Sequence, residues 1–235
     1  MNTLFREPQT GTFAFPQRLT EKYQPKLIDS FVGLDKPKRW ASTIIRSPRP
    51  CSAVFVGPAG IGKSTFAMAL AEAIPAELIH VPAQKCTADM VDTIGERIAY
   101  MPRPGRVLWL CLIEEADQMT DKAQLAFLSK TDETATLRPT FGGGMEQGEA
   151  PPVIIIFTCN TTEGLERRFL SRSTVLQFSS HGVQPDAVKH LERIWLAEAG
   201  TMDGAPNLAR IVKEANGNIR EAMNVMELEL MTREG

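Results

Sequence analysis

The sequence predicts an α/β fold, in which a five-stranded parallel sheet flanked by helices is followed by a small all-helical domain. Up to residue 178, short apolar segments alternate with helical patterns, and this alternation is typical of parallel sheets. From about Ser179 onward only helical patterns remain. The chain therefore divides into a polar arm (residues 1–18), an α/β domain (19–178) and a helical domain (179–235).

The five strand candidates are short apolar runs bounded by polar or glycine-containing stretches. They cover residues 53–56, 78–81, 107–113, 153–157 and 174–178. The fourth, Val-Ile-Ile-Ile-Phe, is apolar at every position, as expected for a strand buried on both faces. In the second domain, apolar residues recur at helical spacing in residues 186–199, 208–215 and 219–231, which predicts three helices.

Composition bounds the class of protein. The 235 residues are 43% hydrophobic and 23% charged, which is typical of soluble globular proteins. No apolar run reaches membrane-spanning length and no signal-peptide core is visible, so we expect a cytoplasmic protein without a membrane partner. The four cysteines form no C-x-x-C pair, which favours reduced thiols over disulfides or a zinc site. A formal net charge of −2 means that DNA binding would need a local basic face.

A phosphate-binding loop follows the first strand candidate. The segment matches G-x-x-x-x-G-K-[ST] at every fixed position and leads into a helix-forming run. Its residues are Gly57, Pro58, Ala59, Gly60, Ile61, Gly62, Lys63, Ser64 and Thr65. In such loops backbone N–H groups surround phosphate oxygens, the lysine reaches the β- and γ-phosphates, and the hydroxyl after it ligates Mg²⁺. We therefore expect ATP-type nucleotide binding here; a ligand-free strand-to-helix turn is the alternative.

Adjacent carboxylates end the third strand candidate. Glu114 and Glu115 follow the apolar run, with Asp117 shortly after. In a parallel sheet this position lies beside the phosphate loop. One acid can hold the Mg²⁺ shell, usually through water, and its neighbour can polarise the attacking water. A solvated acidic turn is the alternative.

A Gly/Pro-rich stretch, residues 138–152, interrupts the alternation before the fourth strand candidate. It cannot form a regular element. A mobile surface loop is one interpretation. The other is a loop that contacts a substrate or a neighbouring subunit through Arg138 and Phe141, with the glycines as hinges.

Four more segments, with the phosphate loop and the acids, resemble the AAA+ ATPases of the clamp-loader group. They are residues 19–26 (LTEKYQPK), 31–33 (FVG), 169–173 (FLSRS) and 217–224 (GNIREAMN). That group includes replication factor C small subunits and bacterial clamp-loader ATPase subunits. The resemblance implies a P-loop NTPase fold with a helical lid, ATP and Mg²⁺ as cofactors, and an oligomer of identical or different AAA+ subunits. It also implies DNA and a protein partner, such as a clamp or a helicase, in DNA replication or repair.

The resemblance assigns roles to particular residues. Tyr23, Val32 and Gly33 lie in the region that packs near the adenine in this group. Asn160 corresponds to sensor 1, an amide that hydrogen-bonds the attacking water or the γ-phosphate. A turn residue that caps the strand is the alternative for Asn160.

Two arginines complete the implied site. Arg172 corresponds to the arginine finger, which reaches the nucleotide of the adjacent subunit, and Arg168 or Arg167 could substitute for it or assist it. Arg220 corresponds to sensor 2, which touches the phosphates from the lid of its own subunit; a solvated helix arginine is the alternative.

The chain departs from the group in several places. Glu114 stands where the group has Asp as the acid of the Mg²⁺ shell, which could slow hydrolysis. Glu115, which the resemblance implies is the water-polarising residue, is intact. The zinc-type cysteine cluster of bacterial motor subunits is missing, and the loop at residues 138–152 is longer than the group's. The chain stops after the lid, whereas clamp loaders continue into a collar that fixes a pentamer, so a stable pentamer is not expected. Both a naturally short protein and a shortened one account for this end.

Three functions follow from these patterns. The leading hypothesis is an oligomeric ATPase that loads or remodels a partner on DNA. The second is an ATP-dependent switch or scaffold with little turnover, suggested by Glu114 and the missing collar. The third is a protein-remodelling motor that grips a polypeptide through Phe141.

Overall fold

A computed structural model describes residues 17–131, 151–179, 182 and 184–233. The predicted arm, apart from its last two residues, and the predicted contact groups Arg138 and Phe141 lie outside the described residues.

The sheet has five strands, as predicted, and every neighbouring pair is parallel. In chain order the strands are β1 (Cys51–Val56), β2 (Ala76–Pro82), β3 (Leu108–Glu114), β4 (Val153–Cys159) and β5 (Thr174–Gln177). Across the sheet they run β2-β3-β4-β1-β5. The third strand extends one residue further than predicted, so Glu114 is its last residue and shares its hydrogen-bonded register.

Helices cover both faces of this sheet and form the second domain. They are α1 (Leu19–Lys22), α2 (Asp35–Arg46), α3 (Lys63–Ala73), α4 (Ala88–Ile98), α5 (Asp121–Thr131), α6 (Arg167–Ser171), α7 (Gln184–Ala199), α8 (Leu208–Glu214) and α9 (Ile219–Arg233). Short 3-10 turns lie at Ile28–Ser30, Ala83–Lys85 and Ala116–Gln118.

Two apolar clusters sandwich the sheet because the central strands are buried on both faces. All seven residues of β4 are buried. On one face, Phe66 of α3 packs edge-on against Phe55 and Phe178. On the other, Phe157 lies between Phe127 of α5 and Phe169 of α6, again edge-on. Such aromatic pairs add to the stabilisation from burial alone. The strand ends are thereby held in a fixed frame.

A third cluster forms the core of the helical domain. It is centred on Leu191 and Trp195 of α7, Val212 of α8 and Met226 of α9. Leu19 of α1 also packs here, and its backbone N–H donates to Glu227 Oε1 at 3.0 Å. The first short helix is therefore attached to the helical domain, although the chain continues from it directly into the α/β domain.

Two sequence predictions about chemistry can be compared with this fold. All four cysteines are free thiols, and burial raises the pKa of Cys111 to about 12, so this thiol is unreactive at neutral pH. Among the described residues, no helix has the length and apolar character that a membrane crossing requires.

Candidate nucleotide-binding site

The predicted site residues lie at the carboxyl ends of the strands of the sheet. Because β1, β3 and β4 are parallel, their carboxyl ends meet there, with Val56 beside Cys159 and Ile113 beside Phe157. The phosphate loop follows β1, the two glutamates end β3, and Asn160 follows β4. Open α/β sheets bind their ligands at this end of the strands.

Glycines shape the phosphate loop by allowing close approach. Gly57 lies against the backbone of Phe178: a Cβ at Gly57 would stand 2.0 Å from the Phe178 carbonyl oxygen. Gly60 has φ +75°, and a Cβ there would stand 2.0 Å from Oδ1 of Asn218. No other residue type fits either position without displacement. The loop therefore packs tightly on β5's end and on the helical domain.

Lys63 is the first residue of α3, and its side chain is turned into the loop. It is only 9% exposed. Its Nζ donates to the carbonyl oxygens of Gly57 at 2.6 Å and Pro58 at 2.9 Å, and to Asn160 Oδ1 at 3.1 Å. Lys63 and Asn160, which are distant in sequence, are thus brought into direct contact.

The electrostatics of Lys63 reflect its burial. Desolvation lowers the pKa of the ammonium group, and the positive charge of Arg220 adds to this, while Asp117 acts in the opposite direction. Oδ1 of Asp117 is itself buried and has no hydrogen-bond partner within the described part of the chain. A buried cation with incomplete compensation attracts an anion strongly. The loop therefore favours a bound anion.

Glu114 and Ser64 lie together on the other side of the loop. The Ser64 hydroxyl lies close enough to the Glu114 carboxylate to lower its pKa, and His80 of β2 approaches the same carboxylate at 2.8 Å between Nε2 and Oε2. Burial opposes ionisation of Glu114, but the hydrogen bonds from Ser64 and His80 outweigh it and hold its pKa below the ordinary value. The carboxylate is therefore ionised at neutral pH.

This donor set suits Mg²⁺. Magnesium in nucleotide sites typically takes one or two protein oxygen ligands and completes its shell with phosphate oxygens and waters. Ser64 and Glu114 supply a hydroxyl and a carboxylate in contact with each other. Among the described residues no group of three or more His, Cys, Asp or Glu side chains could hold a metal alone. The residues fit a metal that arrives with its nucleotide.

Glu115 is exposed and has an unusual backbone conformation. Its φ is +55°, in the left-handed region that non-glycine residues seldom adopt. Its Oε2 accepts a weak hydrogen bond of 3.4 Å from Gln84, just after β2. Strained backbone of this kind persists where the surroundings enforce it and often marks functional positions. Here it turns the carboxylate away from the strand toward solvent at the site's edge.

A cavity of about 310 Å³ adjoins the phosphate loop and extends beneath the helical domain. Tyr23, Val32 and Arg220, three of the residues predicted to contact the nucleotide, line it. Gly33 does not: it lines a neighbouring recess with Asp35. The remaining lining comes largely from α1, the loop, α7 and α9: Thr20, Glu21, Gln24, Pro25, Phe31, Gly60, Ile61, Gly62, Thr65, Ser179, His190, Gly217, Ile219 and Met223.

The helical domain contacts the loop through the start of α9. The Asn218 side chain caps this helix by accepting from the Glu221 N–H at 3.2 Å, and the same side chain covers Gly60. Arg220 follows two residues later, and its charge depresses the pKa values of both Lys63 and Glu114. The loop and the α9 cap are therefore packed as one unit.

This packing predicts the effect of Gly60→Ala. The new methyl group must displace Asn218, so the variant should lose the cap as well as incur left-handed strain. The matched control is Gly105→Ala, since Gly105 also has positive φ but nothing within 4 Å of its Cβ position. Gly60→Ala should lower the free energy of unfolding by about 1 kcal/mol more than the control does. Equal losses in denaturant titrations would show that the contact has no weight.

Arg172 lies at the opposite end of the strands, where β1 and β5 begin. It lies two residues before β5, and the intervening Ser173 contacts Ser52 at the start of β1, with 2.8 Å between the hydroxyl oxygens. From Ser52 to Gly57 the strand covers roughly 16 Å, at about 3.3 Å per residue. The exposed guanidinium donates to the Leu128 carbonyl of α5 at 3.2 Å. Arg172 is therefore far from the phosphate loop of its own chain.

Buried Gln124 of α5 holds the segment that leads to Arg172. Its amide donates to the Gly164 carbonyl at 2.8 Å and accepts from the Glu166 N–H at 2.9 Å. Arg167 and Arg168 begin the helix that follows, and both are exposed. All three candidate arginines are thus on one rigid, surface-facing element.

Several site residues were not predicted from the sequence. His80 contacts Glu114, and Gln24 donates to Thr65 Oγ1 at 3.4 Å. Phe31, His190 and Met223 line the cavity. For His80 a signal exists, because it lies near the end of the strand next to the one that carries the acids. The cavity residues come from three distant segments and have no shared pattern.

Comparisons with known proteins agree with this geometry. The family model described as "ATPase family associated with various cellular activities (AAA)" matches residues 53–180. The replication factor C small subunit of Thermoplasma volcanium is 27% identical over 218 residues, which is 88% of this chain and 62% of that protein. The one from Methanothermobacter thermautotrophicus is 28% identical over 220 residues, 88% of this chain and 61% of that protein. The chain thus spans less than two thirds of these relatives.

Among solved structures, the RuvB Holliday junction branch migration motor of Thermotoga maritima has a similar fold. The TM-score is 0.62 with 18% sequence identity, over 87% of this chain and 64% of that one. The likeness supports the predicted arrangement of a P-loop sheet and a helical domain.

Proposed function

Because the chain belongs to the AAA family of ATPases, we propose that it binds ATP with Mg²⁺ and hydrolyses it as one subunit of an oligomer acting on DNA. The observation that carries this proposal is the contact of Lys63 with Asn160 at the carboxyl ends of the strands, where β3 also ends in Glu114 and Glu115 and a cavity of about 310 Å³ adjoins the phosphate loop.

ATP would lie with its phosphates in the loop and its base in the cavity. The loop N–H groups and Lys63 bind the β- and γ-phosphates, and the Lys63 ammonium exchanges its carbonyl contacts for phosphate oxygens. Tyr23 and Val32 contact the adenine, and Arg220 contacts the phosphates from α9. Gly33 supports the base-binding segment from the neighbouring recess.

Hydrolysis requires a water oriented in line with the γ-phosphate. Glu115 polarises this water and Asn160 orients it or the γ-phosphate. Ser64 and Glu114 hold Mg²⁺, which neutralises charge on the β- and γ-phosphates when bound. These groups orient and polarise, and the charge that develops on the transferring phosphoryl group calls for a further cation.

A neighbouring subunit would supply that cation. Arg172 is exposed and lies at the end of the strands opposite its own phosphate loop. It can therefore reach the nucleotide site of a second subunit. The guanidinium group of arginine is planar and always charged, so it is well suited to stabilise the phosphate oxygens in the transition state. The active unit is therefore an oligomer in which each site is shared between two subunits. These can be identical chains or related AAA+ subunits.

DNA and a protein partner are proposed from the relatives' names. Two replication factor C small subunits are similar to this chain over 88% of its length. On this basis the oligomer loads or remodels a protein, such as a clamp or a helicase, on DNA in replication or repair. Protein remodelling through Phe141 remains the weaker candidate, because Phe141 lies outside the described residues.

A switch with little turnover is the second candidate. The observation in its favour is Glu114, which is tied to His80 as well as to Ser64. A metal-side acid that is held away from its usual position would leave ATP binding intact and slow the chemistry. Rapid turnover by the wild-type oligomer would remove this candidate.

Assembly is tested by measuring mass with Glu115→Gln protein, which should retain ATP. With ATP and Mg²⁺ we expect species larger than the monomer, and primed DNA should increase their population. Lys63→Ala is the matched control, because without the Nζ contacts to phosphate it should remain monomeric under the same conditions. A monomer in every mixture would contradict the shared-site proposal.

A further inference from the structure

The Glu114 carboxylate is held from two sides, by the phosphate loop and by the neighbouring strand. Ser64 contacts it from α3, and His80 contacts it from β2 at 2.8 Å. The His80 side chain is 41% exposed and that of Glu114 is 28% exposed, so the pair lies at the rim of the site. The role proposed above for Glu114 uses Ser64 and leaves His80 unexplained.

The sheet register explains why these two side chains meet. His80 pairs with Leu112 and Pro82 pairs with Glu114, so His80 and Glu114 are diagonal neighbours on one face. With strands about 4.8 Å apart and a rise of about 3.3 Å per residue, the diagonal between their backbones is roughly 8 Å. A glutamate and a histidine together span this distance. An aspartate, one methylene shorter, would retract its carboxylate from His80.

We propose that His80 is a positioning residue for the metal-side acid, in that its Nε2–H fixes the longer Glu114 side chain so that the carboxylate faces Ser64 and the metal. This inference rests on the proposed function, because the metal in question comes with ATP. On this proposal, His80 compensates for the extra methylene group by which Glu114 is longer than an aspartate. Hydrogen-bond partners of a metal ligand of this kind set its orientation and commonly change metal affinity about 10-fold or more.

A purely structural role for the pair makes a different prediction. Exposed ion pairs contribute little to folding, and their loss has no specific effect on metal binding. The readout must therefore separate metal-dependent from metal-independent nucleotide binding. The ratio of dissociation constants for a non-hydrolysable ATP analogue, measured in EDTA and in Mg²⁺, does this.

For His80→Ala we expect this ratio to fall about 10-fold, with binding in EDTA unchanged. His80→Gln keeps an N–H donor near the Nε2 position and should retain most of the wild-type ratio. Arg210→Ala is the matched control, since Arg210 forms an exposed pair with Glu214 at 3.0 Å, and it should leave the ratio unchanged. Thermal melting of each variant checks folding, and His80→Gln serves if His80→Ala does not fold.

Coupling between the two side chains provides the sharper test. In a Glu114→Asp background the carboxylate no longer reaches His80, so adding His80→Ala should change the ratio no further. If His80→Ala lowers the ratio in that background by as much as it does in the wild-type protein, the inference is overturned.

The outcomes separate this inference from the function on which it rests. If wild-type protein fails to bind the analogue with Mg²⁺, the proposed function fails and this inference with it. If wild type binds but His80→Ala keeps the wild-type ratio, or weakens binding equally in EDTA and Mg²⁺, only the positioning role is overturned.

Discussion

Glu115→Gln should abolish steady-state ATP turnover while leaving ATP binding intact. The substitution keeps the shape of the side chain but removes the charge that polarises the attacking water. A positioned general base contributes about 100-fold to 10,000-fold, so we expect turnover to fall by at least 100-fold. Within the described part of the chain, the exposed Glu115 side chain accepts one weak hydrogen bond, from Gln84, so the fold should not change.

The measurement is phosphate release at saturating ATP, together with ATP affinity by equilibrium titration. Glu96→Gln is the matched control, because Glu96 is an exposed acid on α4, and it should behave as wild type. Equal turnover by Glu115→Gln and wild type would refute the assignment of Glu115. Loss of binding would mean that Glu115 helps to hold the nucleotide.

Arg172→Ala should reduce turnover by about 1,000-fold or more in the assembled oligomer, without weakening ATP binding to the isolated subunit. The physical reason is distance: Arg172 precedes the β5 residue that pairs with Ala53, at the far end of β1 from the loop. It cannot contact the nucleotide of its own chain, so it should not affect that affinity.

Arg168→Ala provides the comparison, because Arg168 is exposed on the same short helix. If Arg172 is the finger, Arg168→Ala should retain most of the activity. The reverse pattern, a large loss for Arg168→Ala and little for Arg172→Ala, would move the finger to Arg168. Impaired ATP binding by monomeric Arg172→Ala would contradict a role in the neighbouring site.

The sheet could be predicted from sequence because its strands are buried on both faces. Continuous apolar runs such as β4 arise only where helices cover both sides, and the predicted strand limits were accurate to about two residues or better. The phosphate loop and the acids were equally accessible, since both are local motifs that directly follow or end a strand. The contact between Lys63 and Asn160 needs one further fact, that β4 lies next to β1 in the sheet.

Other features depend on the strand order, which no local pattern encodes. The distance of Arg172 from its own loop follows from β5 pairing with β1. The contact of His80 with Glu114 follows from the register of β2 and β3. The cavity wall combines α1 with α7 and α9, and its formation needs Leu19 to pack in the helical domain. Such long-range contacts are visible only in the folded chain.

The central claim is that each ATP site is completed by the neighbouring subunit, and mixing two inactive variants tests it most directly. Glu115→Gln retains Arg172, and Arg172→Ala retains Glu115, so a mixed oligomer contains some sites with both groups intact. Phosphate release by the equimolar mixture should clearly exceed the sum of the rates of the separate variants. A mixture no more active than that sum, although mass measurement shows mixed oligomers, would contradict the shared site.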